Sequence, residues 1–404
     1  MSSSLWIGAT GMTAVDKQLD VIGNNLANSS TVGYKASNAQ FSSMLSQTLS
    51  GGSGNMQVGQ GVSVSSIATN FAQGSFQTTS SVTDLAIDGE GLFIAKDGAG
   101  LTYYTRNGSF AIDEDGYMVD GSGYRIQGNM FVGGAEVYNL GDINLANIQS
   151  QPMTTTTVHL GANLNAQAAT GDIFSASQTV YGNDGAEYTM TTTFTKTANA
   201  REWSISGSLE DANGNITNAA AIATLVTFDA NGAMLTPAAN VAFTFAGANI
   251  GTAGVINWDV TSADAATLTG FASDSTITTV NANGYSAGSL QSISIGTDGV
   301  ITGSFSNGQT EQLARFMMAD FANYGGLSKV GTYFTETDKS GAPLINQPGS
   351  GSLGGIMSNS LEVSNTDVAA EFINMITAQR AYQSCAKVVS TANDLQQLLM
   401  NIKQ

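Results

Sequence analysis

One histidine, His159, and one cysteine, Cys385, are the chain's whole stock of two side chains that most often ligate metals or attack substrates. A structural zinc site needs four such ligands, and a Cys/His nucleophile pair needs a base beside the thiol; no such spacing exists here. His159 lies between Val158 and Leu160, which suits a structural histidine on a strand. No Gly-rich loop ends in Gly-Lys-Ser/Thr, and Gly89-Glu90-Gly91 is too short for a dinucleotide fingerprint. Asp113-Glu114-Asp115-Gly116 offers carboxylates to calcium but lacks the later ligands of an EF-hand, so a hairpin turn is the better account. The residues therefore predict no catalytic, cofactor or metal site, and no enzyme. Function has to be sought in surfaces.

Composition narrows the choice. The chain has 404 residues, room for two to four domains, yet only 11% are charged, and glycine is abundant at 47. That balance favours turn-rich β structure with neutral polar surfaces. Thirty-one acids against 13 bases give a net charge of −18, which disfavours nucleic acid and anionic membranes as partners. A single cysteine excludes an intrachain disulfide. No basic residue precedes Lys17, and Asp16 and Asp20 interrupt the apolar positions, so the N-terminus does not read as a Sec-type signal. No run of eighteen apolar residues could span a membrane. A cytoplasmic protein and one exported without a cleaved signal both remain open.

The elements are organised from the two ends. Leu5, Met12, Leu19 and Leu26 recur every seven residues, with Val15 and Ile22 three places after two of them. This is an a/d seam, made to lie against other helices. Gly8, Gly11 and Gly23 inside it cost roughly 1 kcal/mol each relative to Ala. Such a helix is expected to order only when packed, its glycines permitting close approach. A polar stretch, Asn24-Asn25 to Asn28, Thr31, Gly33, Tyr34 and Lys35, ends the pattern, and residues 36–61 read as loop. Period-two strands begin at Val62 and continue through Leu92-Phe93-Ile94-Ala95 and Leu101 to Thr105. From about 151 to 284 lie ten acids and only Lys196 and Arg201 as bases, amid Thr-rich strands parted by Asp/Gly turns. Hairpin patterns then resume. From Ile356 to Gln404 there is no glycine. Ser364 to Asp367 reads as a capping box, followed by Val368, Phe372, Met375, Tyr382 and Val389, then a shifted phase through Leu395, Leu399 and Ile402.

The expected fold is mainly β with α-helical termini that pair as a coiled coil. Its expected parts are an inner helical domain (1–30 with 365–404), an extended bridging segment (31–70 with 356–364), a β domain (71–150 with 285–355) and an inserted outer β domain (151–284). Two helices with one partner each leave apolar surface over, which argues for association with other copies.

Several separated motifs resemble the rod and hook family of bacterial flagellar axial proteins. Leu19 to Asn28 followed by Thr31-Val32-Gly33-Tyr34-Lys35 looks like the family's N-terminal signature. Asp84 to Phe93 is similar to the entry of its β domain, and Tyr104 to Phe110 with Asp115-Gly116-Tyr117 to that domain's hairpin. Ser364-Asn365-Thr366-Asp367 through Met375 to Gln383 looks like its C-terminal helix motif. Length and Leu160 to Asn165 at the mouth of the insert favour the hook type, which carries an inserted domain, over the distal rod type. The resemblance implies a subunit that polymerises into a curved, flexible tube around an export channel and acts as a universal joint. Implied partners are copies of itself, the distal rod protein, the hook cap, the hook-filament junction proteins and the flagellar type III export apparatus, with an extracellular location and no cleaved signal. The self-assembly seam would be Leu5, Met12, Val15, Leu19, Ile22 and Leu26 with Val368, Phe372, Met375, Tyr382, Val389, Leu395, Leu399 and Ile402. Asn24, Asn25, Asn28, Thr31, Gly33, Tyr34 and Lys35 would form the bridging motif. Another axial subunit, or a secreted β-rich adhesin or surface-layer protein with helical ends, are the alternatives.

Overall fold

Each terminus folds as one long helix: α1 covers Ser2–Ala27 and α2 covers Val368–Ile402. The computed structural model describes residues 2–44, 47–49, 56–260 and 268–402. Nearly everything between the helices is strand, and the chain divides into two compact units. The first comprises Met1–Asn147, Ile293–Gly303 and Glu311–Gln404; the second comprises Ile148–Ser292 and Ser304–Thr310.

In the first unit α1 and α2 lie against each other in antiparallel register. A Cβ added to Gly8 would sit 2.7 Å from Val389 Cγ2, and one on Gly11 would sit 3.0 Å from Cys385 Sγ. At the other end Asn25 donates to Glu371 Oε1 at 2.9 Å. Two of the glycines expected to permit close approach therefore do so, while nothing lies within 4 Å of Gly23. Asp367 caps α2 by accepting from Ala369 N (2.9 Å) and Ala370 N (3.2 Å). Ser364 was expected to share that work. It instead accepts from Thr366 N in a local turn before the helix.

The β body of this unit is closed by strands from distant parts of the chain. Leu92–Lys96 pairs with Thr102–Thr105 and, across more than two hundred residues, with Met318–Asp320. Gly355–Ser358 pairs with Leu85–Asp88, and Ser360–Glu362 with Phe76–Thr78. Leu92, Ile94, Tyr104, Ala319, Phe321 and Phe334 are buried together beneath these strands. The stretch 36–61 departs from its expected loop: Ser37–Ser43 is a strand, antiparallel to Val62–Thr69 with an irregularity at Gln40/Phe41. Its Ser-Asn-Ala-Gln-Phe-Ser-Ser sequence has no alternating apolar face, so only the partner strand makes it β. Gly51 to Asn55, expected as the centre of that loop, lies outside the described residues.

The second unit is two packed sheets. Ile173–Tyr181, Glu187–Lys196, Glu202–Glu210, Leu225–Phe228 and Met234–Thr236 run in order in one, with Ile216–Asn218 paired to the third. The other is ordered Val241–Thr244, Val255–Trp258, Thr157–Asn163, Thr276–Ala282. Alternation sends Met190, Phe194, Trp203, Ile205 and Leu209 inward onto Val158, Leu160, Phe243, Ile256 and Trp258. His159 is half-buried on Thr157–Asn163, between the core residues Val158 and Leu160.

Many acids are spent on turns. The carboxylates of Asp97, Asp113, Asp120, Asp211 and Asp229 each accept from the backbone N–H four residues on. A glycine at the third place after each takes positive φ, from 80° at Gly116 to 90° at Gly100. Asp113 thus serves a hairpin between Phe110–Ile112 and Met118–Asp120.

Candidate assembly site

The bridging motif forms the foot of α1, where helix and β body are joined by a buried polar cluster. Lys35, 1% exposed, places Nζ 2.6 Å from Glu362 Oε1 and donates to Ala72 O at 2.8 Å. Arg106 Nη1 approaches the other oxygen, Oε2, at 3.1 Å, and its Nη2 donates to Gly89 O at 2.7 Å. Gly74 N completes the shell of Glu362 at 2.8 Å. One buried carboxylate therefore holds two buried cations from distant segments. Burial lowers the Lys35 ammonium below its ordinary value, and attraction to Glu362 only partly restores it.

Around this core the rest of the motif acts through hydrogen bonds. Asn25 accepts from Ser37 N (2.9 Å) and Tyr34 Oη (3.2 Å), and it donates to Ser37 O (2.8 Å) as well as to Glu371. Asn28 donates to Asn24 Oδ1 at 2.7 Å and accepts from Thr31 Oγ1 at 3.2 Å, which turns the chain off the helix. Gly33 has φ +68°, and a Cβ there would lie 2.4 Å from Asn107 N, so the position requires glycine. Lys329 caps the cluster, its Nζ 3.9 Å from the Tyr34 ring centroid and donating to Lys35 O at 2.7 Å. The motif's residues were visible in the sequence, but their partners Glu362, Arg106, Glu371 and Lys329 were not assigned to it. Arg106 lies in the Tyr104 to Phe110 stretch, whereas Glu362 has no local signal.

The helices distribute their apolar side chains over two surfaces. Ala14 and Ile22 of α1 are buried, and Leu5, Met12, Val15, Leu19 and Leu26 are half-buried. On α2 the side turned to α1 carries Glu371, Met375, Ala378, Cys385, Val389 and Ala392, whereas Val368, Phe372, Ile373, Ile376, Tyr382 and Leu395 are exposed. The side chains of Leu399 and Ile402 lie outside the described residues. Trp6 on α1 is 55% exposed. These exposed apolar side chains form a run along the helix pair. Among the described residues no three or more His, Cys, Asp or Glu are grouped to hold a metal, and no helix is long and apolar enough to cross a membrane.

Titration of this unit gives a pH dependence with a definite sign. Burial pushes the Lys329 ammonium down to about 8 from 10.5, so between those values the unfolded chain binds more protons and stability rises with pH. Tyr104 is pushed up to about 12, by burial first and by Glu336 second; burial also raises Tyr324 and Tyr333. Above about 10 the unfolded tyrosines ionise first and stability falls. Thermal melts are expected to peak between pH 8 and 10. A steady decline across that interval would contradict the assignment.

Four family models match this architecture in order. Residues 5–35 match the flagella basal body rod protein model, and 86–163 match the D1 domain of flagellar hook protein FlgE/F/G. Residues 147–285 match the flagellar basal body protein FlaE D2 domain, and 357–402 the C-terminal model of flagellar basal body rod FlgEFG proteins. These define the class: an axial structural protein of the bacterial flagellum. The chain is 32% identical to flagellar hook protein FlgE of Escherichia coli (strain K12) over 98% of both chains, and 33% identical to that of Borreliella burgdorferi over all of both chains. The chain belongs to the flagellar hook protein family. The crystal structure of Helicobacter pylori flagellar hook protein FlgE2 covers 71% of this chain at 15% identity, with a TM-score of 0.47.

Proposed function

We propose that this chain is the structural subunit of a flagellar hook, acting by assembly rather than catalysis. Copies pack through the exposed apolar sides of α1 and α2 into a curved, flexible tube around the export channel, which passes torque from rod to filament. The observation that carries this is the two-sided apolar character of the paired helices. One side is used within the chain, and the other is bare in a protein of net charge −18. The motif residues Asn24 to Lys35 then tie the inner helices to the β body, so that force on one reaches the other. On this reading the subunit leaves the cell unfolded through the type III export apparatus without a cleaved signal. It meets the distal rod protein, the hook cap and the hook-filament junction proteins at the ends of the tube.

The block from about 151 to 284 is proposed to sit outermost, touching neighbours through weakly charged polar surfaces that slide at little cost. Deleting it is expected to leave a chain that still polymerises, with altered curvature or stiffness in electron micrographs. Complete loss of assembly would count against this division of labour.

A further inference from the structure

With 31 acids to 13 bases, the cations of this chain have carboxylates to spare. Lys17, Lys35, Arg106, Arg125 and Arg315 each pair with one. Among the described residues Lys329 does not: burial lowers its ammonium, and no acid offsets the effect. One N–H goes to Lys35 O at 2.7 Å, and the Tyr34 ring centroid lies 3.9 Å away. An ammonium has three N–H groups, so this half-buried charge is left short of partners. Lys196, buried and also without a carboxylate, is instead closed in by Thr197 O at 3.0 Å and Asn199 O at 2.6 Å.

Lys329 lines a cavity of about 490 Å³ at the foot of α1, within the first unit. Asn24 and Thr332 line it too. The Asn24 side-chain carbonyl accepts from Asn28, which leaves its own amide hydrogens free. Val21 and Ile67 supply apolar wall, Ile67 being 55% exposed. Asp20 is the one acid on the lining, and it is engaged by Lys17 at 3.0 Å on the open side of the helix. We propose that this cavity is a carboxylate-binding site: Lys329 pairs the charge, Asn24 and Thr332 donate to the oxygens, and Val21 and Ile67 pack a short apolar stem.

Three observations select that ligand. The unpaired ammonium calls for an anion, and neutral donors beside it suit oxygen acceptors. The volume falls in the range of small-molecule pockets and far exceeds the ~30 Å³ of a single water, so the anion brings a stem with it. Asp20 on the same lining repels a second negative charge, which favours a monoanion such as a carboxylate over a multiply charged phosphate. A free short-chain acid and the side chain of a glutamate on another polypeptide present this same chemistry. The site stands independently of the hook-subunit reading, because it is complete in one chain.

The test is the melting midpoint of the soluble full-length chain in butyrate, against chloride at equal ionic strength. Butyrate is expected to raise the midpoint progressively with the logarithm of its concentration, as a ligand of the folded state does. Lys329→Met, which keeps a stem of similar length against Tyr34, should lose that rise, and Thr332→Val, which leaves the ammonium in place, should reduce it. N-acetylglutamate amide separates the two sources: a rise matching that of butyrate assigns the site to a side chain of another polypeptide, and no rise assigns it to a free acid. Its neutral counterpart N-acetylglutamine amide should do nothing. No rise with either carboxylate, an equal rise in Lys329→Met, or a rise with the neutral probe would overturn the proposal. If Lys329→Met does not fold, an undiminished rise in Thr332→Val overturns it.

Discussion

Replacing Glu362 by glutamine is expected to destabilise the first unit by about 3–5 kcal/mol, the usual consequence of leaving buried charge unpaired. The side chain is fully buried and accepts from Lys35, Arg106 and Gly74. Glutamine keeps the volume but removes the charge, leaving two buried cations without a counterion. Its amide nitrogen must also face a donor, whichever way it turns. Removing Lys35 instead, as Lys35→Met, leaves Glu362 matched one-to-one with Arg106 and should cost less. The denaturant midpoint, followed by near-ultraviolet circular dichroism from the tyrosines, should therefore fall further for Glu362→Gln than for Lys35→Met. Equal or reversed effects would show that the carboxylate is not the shared anchor.

The second large effect is on assembly. A chain lacking residues 1–30 and 365–404 is expected to remain a folded, soluble monomer at concentrations where the full chain polymerises. The truncation keeps Lys35, Glu362 and Arg106, so the ion pairs under the β body survive while α1, α2 and the Asn25–Glu371 bond are lost. With the helices go Trp6, Val368, Phe372, Ile373 and Ile376, exposed apolar side chains worth about 1.5–3 kcal/mol each if fully buried between copies. Several such contributions per subunit are enough to decide between monomer and polymer. Light scattering distinguishes the two results, and scattering equal to that of the full chain would place the assembly surface elsewhere.

The sequence disclosed some of this more readily than the rest, for physical reasons. Amphipathic helices at both termini and strands between them follow from hydrophobic period, since seven-residue and two-residue repeats are local. The details of the helix pairing do not. The side of α2 that meets α1 steps by sevens through Glu371, Ala378, Cys385 and Ala392, small or polar residues that an apolar count passes over. They can face inward because Gly8 and Gly11 let the backbones approach. The larger Phe372 and Ile376 then point outward, where a count of apolar residues would not place them in a single chain. The bridging motif was legible as residues and not as a cluster. Lys35 and Glu362 are 327 positions apart, and only the fold brings them to 2.6 Å. Likewise Ser37–Ser43 has no strand pattern of its own and is β because Val62–Thr69 lies beside it.

If the terminal helices form the surface by which copies join, Trp6 reports on it directly. Of the chain's three tryptophans, Trp203 and Trp258 are 1% exposed in the second unit's core, so Trp6 dominates quenching by an aqueous solute such as acrylamide. Fluorescence quenching should be compared between soluble monomer and assembled polymer of the same full-length chain. Polymerisation is expected to shield Trp6, with a blue-shifted emission and a sharply reduced quenching slope. A Trp6 as accessible in the polymer as in the monomer would contradict it.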